Sequence, residues 1–169
     1  MARSQDNFAN IAAIRVTESA ANTLTYAELA TGISLGQGIG MIIDGWDWKV
    51  TRASKTTALA NAEGDGADLA MCTSNSLTDL TNFNDRRMIL KADTYVQVTG
   101  AVTSQQQMSL GWKDTFSPPL IIAAPRLFFA VKGTGLTTAL VVDFRLYFRY
   151  IDLSVQEYLE LAEAFTLTG

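Results

Sequence analysis

Three carboxylates crowd one glycine-rich stretch, Glu63-Gly64-Asp65-Gly66-Ala67-Asp68. Oxygen donors of this kind hold calcium, but Glu63, Asp65 and Asp68 do not follow EF-hand spacing. Weak calcium binding is the chemistry they offer, and a solvated loop is the plainer expectation. Near the other end, Asp143, Arg145, Arg149 and Asp152 alternate with apolar residues. A carboxylate beside an arginine could move a proton, yet alternating charges on an outward strand face more often form cross-strand or intersubunit pairs. Trp46, Trp48 and Trp112 could stack on sugars or bases, but rings of this area on alternate strand positions belong in a core. Gly36-Gln37-Gly38-Ile39-Gly40 resembles a phosphate-cradling loop until its sixth position, where Met41 replaces the required glycine. A strand rather than a helix is expected after it, so no helix N-terminus would face a phosphate. An inter-strand turn is the reading that remains.

Composition narrows the chemistry further. The 169 residues include no histidine, which removes the commonest general base and the commonest transition-metal ligand together. Cys72 is the single cysteine, so neither an intrachain disulfide nor a Cys/His zinc site can form. With no basic neighbour in Ala67-Asp68-Leu69-Ala70-Met71-Cys72 to activate it, this thiol reads as a small core residue. No catalysis and no cofactor are expected. Lys and Arg number 13 against 17 Asp and Glu, for a net charge of −4. The largest cationic cluster is Arg86-Arg87 and the first ten residues hold only Arg3, so no nucleic-acid-binding arm is expected. No apolar run is long enough for a membrane helix, and the first residues lack the apolar stretch of a signal peptide. The expectation is a soluble protein made in a cytoplasm. Charged residues are only 18% and hydrophobic ones 48%, lean for the surface of a free monomer.

The elements that must position these residues are mostly strands. Leu140, Val142, Phe144, Leu146, Phe148 and Tyr150 alternate with Val141, Asp143, Arg145, Tyr147, Arg149 and Ile151, the period-two pattern of a long half-buried strand. Before it comes Leu120 to Val131, with Pro125 marking an edge or bulge. Lys132-Gly133-Thr134-Gly135-Leu136 then suits a short hairpin loop. Ser117-Pro118-Pro119 reads as punctuation ahead of that strand. Further candidates are Ile11 to Glu18, Thr23 to Leu35, Met41 to Thr51, Ala67 to Thr73, Met88 to Thr99 and Met108 to Trp112. In Met41 to Thr51, Trp46 and Trp48 share one face, Asp47 and Lys49 the other, and Gly45 falls where a bulge is needed. Loops are expected over 51–66, 75–87 and 103–107.

One helix is expected, over residues 154–165. Ser154-Val155-Gln156-Glu157 is a capping box, with Leu153 and Tyr158 placed as its hydrophobic staple. Val155, Tyr158, Leu159, Ala162 and Phe165 line one face, broadened by Leu161. Glu157, Glu160 and Glu163 make the rest acidic, either a solvated face or one that meets cations of a neighbouring subunit. The pattern describes one mainly β domain over 1–169. It is an antiparallel β-sandwich, a single jelly roll of about eight strands, with a short C-terminal helix.

The run Leu127-Phe128-Phe129-Ala130-Val131, then Gly133-Thr134-Gly135, then Val141-Val142-Asp143-Phe144-Arg145-Leu146-Tyr147-Phe148-Arg149-Tyr150, resembles the closing strands of small single jelly-roll viral capsid proteins. The resemblance is one of architecture and composition, and it implies a self-assembling coat subunit of an icosahedral shell, made in a host cytoplasm and residing in the virion. Its partners would be many copies of itself and, in some shells, a second capsid protein. The segment 1–10 and the helix would be intersubunit contact elements. Arg86, Arg87, Asp143, Arg145, Arg149, Glu157, Glu160 and Glu163 are the candidate contacts. One departure is plain: the basic N-terminal arm of coats that package genomes directly is missing. A lectin-like or receptor-binding jelly-roll module of a phage fibre or spike is the alternative. That reading requires exposed tryptophans.

Overall fold

The computed structural model describes residues 9–34, 38–51, 65–82, 84–99, 102–107 and 114–166. Among them are nine strands and one helix: β1 (Asn10–Thr17), β2 (Thr25–Ala30), β3 (Ile39–Val50), β4 (Gly66–Cys72), β5 (Met88–Thr99), β6 (Val102–Gln107), β7 (Asp114–Ile122), β8 (Arg126–Thr134), β9 (Val141–Asp152) and α1 (Val155–Thr166). The segment 1–8, Trp112, the expected strand at Met108 to Trp112, and Glu63 with most of the 51–66 loop lie outside the described residues.

The strands form two antiparallel sheets, ordered β1-β9-β3-β7 and β2-β8-β4-β5-β6. The chain changes sheet between β1 and β2, β2 and β3, β3 and β4, β6 and β7, β7 and β8, and β8 and β9. Eight of these strands give the two interlocked Greek keys of a jelly roll. The ninth, β6, extends the second sheet by a hairpin from β5, pairing Val102 with Thr99. It occupies the stretch expected as the 103–107 loop, where Gln105-Gln106-Gln107 gave no alternation of apolar and polar residues to read.

The expected hairpin between Leu120–Val131 and Leu140–Asp152 is not formed. β8 pairs with β2 and β4, whereas β9 pairs with β1 and β3 in the opposite sheet. Lys132–Leu136 therefore begins a crossing between sheets, and Gly135 takes a left-handed φ of 69° there. The single segment expected over 120–131 is likewise two strands, broken at Ala123–Pro125 where the chain passes from one sheet to the other. Pro118 and Pro119 lie inside β7 rather than ahead of a strand. Their missing N–H groups are tolerated because β7 is an edge strand and its register with β3 breaks over that stretch.

Between the sheets lies the main core. From β9 come Val142, Phe144, Leu146 and Phe148, all buried. Phe144 stacks on Trp46 of its own sheet, 5.9 Å between ring centroids, and meets Phe129 of the facing sheet at 5.2 Å. The register of β3 shifts between Ile43 and Gly45, as a bulge requires. Without that extra residue, strict alternation from Met41 and Ile43 would turn Trp46 and Trp48 outward. With it, both indoles are buried in the core.

A second, smaller core lies on the outer side of the five-stranded sheet. The loop 73–87 folds back there and packs Leu77 and Leu80 on Ala70, Cys72, Met88 and Ala130. Both faces of β4 are therefore covered. Cys72 is fully buried, and burial pushes its thiol up to about 12.

Candidate functional surface

The outer face of β1, β9 and β3 gathers most of the charged residues that the alternation of β9 singled out. Register places Arg15, Asp143 and Lys49 opposite one another, and the next row holds Ala13, Arg145 and Asp47. A third row brings Ile11, Tyr147 and Gly45 together. Arg15 grips Asp143 through Nε at 2.6 Å and Nη2 at 3.0 Å. Those hydrogen bonds hold the Asp143 carboxyl below its ordinary value, helped by the charges of Arg15, Lys49 and Arg145. The Tyr147 hydroxyl donates to Asp47 at 2.9 Å. Further along, Arg149 clasps Asp44 through Nε at 2.8 Å and Nη2 at 2.6 Å. A fork this well matched fixes both side chains to the sheet. The Lys49 and Arg145 side chains are exposed and make no hydrogen bond or salt bridge among the described residues, although both charges act on Asp143. They flank a shallow cavity of about 370 Å³ that Asp47, Trp48 and Asp143 complete.

The remaining expected contact residues are elsewhere. Arg87 donates to Asp85 at 2.9 and 2.6 Å and to Ser76 at 2.8 Å, so it fastens the loop 73–87. Arg86 is exposed beside it. On α1, Glu157 completes the capping box: its carboxylate accepts from the Ser154 amide at 3.0 Å and hydroxyl at 2.7 Å, and its own amide donates to Ser154 Oγ. Glu160 accepts from Gln156 at 3.0 Å, and Glu163 is exposed. The helix departs from expectation in one respect. Tyr158 and Leu161 pack on the core, but Val155 and Leu159 are 75% and 53% exposed, so the apolar face divides into an inner and an outer stripe.

Of the three carboxylates expected to offer calcium a site, Asp65 and Asp68 are among the described residues and Glu63 lies outside them. Asp68 is held by Lys91 at 3.0 Å, and Asp65 lies buried against Gly135. No group of three His, Cys, Asp or Glu able to hold a metal occurs among the described residues. No helix among them is long and apolar enough to cross a membrane.

Sequence reasoning named Asp143, Arg145 and Arg149 but not Arg15, Asp44 or Ile11, which complete the face. The fold and its surface define a class, an antiparallel jelly-roll sandwich with a charged outer sheet face and an acidic helix. Comparison of the chain with protein-family models, curated proteins and solved structures gives no match.

Proposed function

We propose that the chain is a structural virion protein, a capsid subunit that assembles with copies of itself into an icosahedral shell and performs no catalysis. The observation that carries this reading is the jelly-roll strand order, β1-β9-β3-β7 against β2-β8-β4-β5. Viral shells, lectins and cupins share that architecture, so features beyond the fold must choose among them. Trp46 and Trp48 are 2% and 3% exposed, which withdraws both from any sugar-stacking platform. The sequence has no histidine for a His-ligated cupin-type centre. The outward apolar stripe of α1, with acidic residues beside it, has the apolar centre and polar rim of a contact surface. A second capsid protein is a compatible partner, and the net charge of −4 favours a shell that does not itself grip the genome.

Size exclusion coupled to light scattering tests the proposal. Assemblies of many copies are expected. A monomer or a trimer at every concentration would contradict it and favour the receptor-binding module.

A further inference from the structure

Most described cations hold an acid of this chain, as Arg15 holds Asp143 and Arg149 holds Asp44. Lys49 and Arg145 are different. They sit diagonally across β3 and β9, exposed, and both line the cavity. The two acids beside them are already engaged, Asp143 by Arg15 and Asp47 by the Tyr147 hydroxyl. The Tyr147 hydroxyl leaves the Asp47 charge in place, yet Arg15, Lys49 and Arg145 outnumber Asp47 and Asp143 by one, so this part of an acidic protein carries a net positive charge. One row along the strands lies an apolar step, Ile11, 63% exposed, beside the Tyr147 ring.

α1 carries the complement. It has no Lys or Arg, and Glu160 and Glu163 are exposed. Val155 and Leu159 form its outward apolar stripe. At about 100° per residue, Leu159 lies ~40° around the helix from Val155 and Glu163 ~40° further. Leu159 and Glu163 are one turn apart, about 6 Å along the axis. The Ile11 and Arg145 rows are two residues apart on their strands, about 7 Å. The two spacings match for a helix lying roughly along the strands.

We propose that α1 of one copy docks on the outer β1-β9-β3 face of a second copy. Val155 and Leu159 cover Ile11 and Tyr147, and Glu163 with Glu160 faces Arg145 and Lys49. The inference rests on the shell reading and names one of its contacts. Because the two patches differ, the contact is made either twice across a two-fold axis or head-to-tail, and the head-to-tail form closes into a ring or shell where its rotation permits.

Light scattering on the full chain, its Arg145→Glu and Glu163→Lys variants and the double variant tests it, with circular dichroism melts to check folding. Each single reversal sets like charges together, and assembly is expected to require roughly tenfold more protein or more. The double variant restores opposite charges at every contact and is expected to assemble as the wild type does. If Glu163→Lys fails to fold, Glu160→Lys with Arg145→Glu replaces it. Folded single variants that assemble normally, or a folded double variant that does not recover, would overturn the contact while leaving the shell reading intact. A wild-type chain that never assembles would overturn both.

Discussion

Glu18 and Leu140 are bound to each other twice. The Glu18 amide donates to the Leu140 carbonyl at 2.9 Å, and the Leu140 amide donates to Glu18 Oε2 at 2.7 Å. Glu18 Oε1 also accepts the Gly133 amide at 2.6 Å. One carboxylate thus ties the end of β1 to both sides of the crossing between β8 and β9, and it is buried while doing so.

Replacing that carboxylate leaves two buried amides without an acceptor. Glu18→Ala is expected to lower stability by about 2–6 kcal/mol, since each of the two unsatisfied buried donors costs about 1–3 kcal/mol. Glu18→Gln keeps one acceptor oxygen and should lose less. Urea unfolding at neutral pH measures both. A loss for Glu18→Ala below about 0.5 kcal/mol, the size of an ordinary surface change, would contradict this role.

Strong acid should loosen the loop 73–87. The hydrogen bonds from Arg87 hold the Asp85 carboxyl down at about 2, and those from Thr81 and Lys132 hold Asp79 at about 2. An unfolded aspartate titrates near 3.9. Both groups therefore contribute stability that is fully present above about pH 4 and lost as pH falls through about 2. The contribution is modest, because both carboxylates are partly open to water. Asp85→Asn is expected to melt a little lower than the wild type at pH 7 and at the same temperature near pH 2. Melting curves that stay equally far apart across that window would argue against the loop clasp.

Tryptophan emission should report the core. In a Trp112→Phe background, the remaining indoles are Trp46 and Trp48, both buried between the sheets. Blue-shifted emission that resists acrylamide is the expected outcome. Red-shifted, readily quenched emission would place at least one of them at the surface and revive the stacking platform.

Local signals in the sequence carried much of the fold. The alternation of β9, the bulge at Gly45 and the capping box at Ser154 are each set by neighbours within a few residues, and all three are present. Pairing across the sandwich was not legible. The Lys132–Leu136 segment has the glycines of a hairpin loop, but which sheet β9 joins is decided by Val142, Phe144 and Leu146 packing beside β1 and β3, residues far away in the chain. The second core was hidden for a similar reason: Leu77 and Leu80 stand in a polar stretch without periodicity and meet Cys72 only after the loop folds back. On the outer face, the outward charges of β9 could be read from alternation. Their partners Arg15 and Asp44 could not, because register links them across more than a hundred residues. On α1, a helical wheel gathers Val155 with Tyr158, and only the packing shows that one points out and the other in.

Electron microscopy of the purified full chain tests the central claim most directly. Closed isometric particles of uniform diameter are the result expected of a capsid subunit. A field of small separate molecules, at concentrations where the folded protein is abundant, would contradict it.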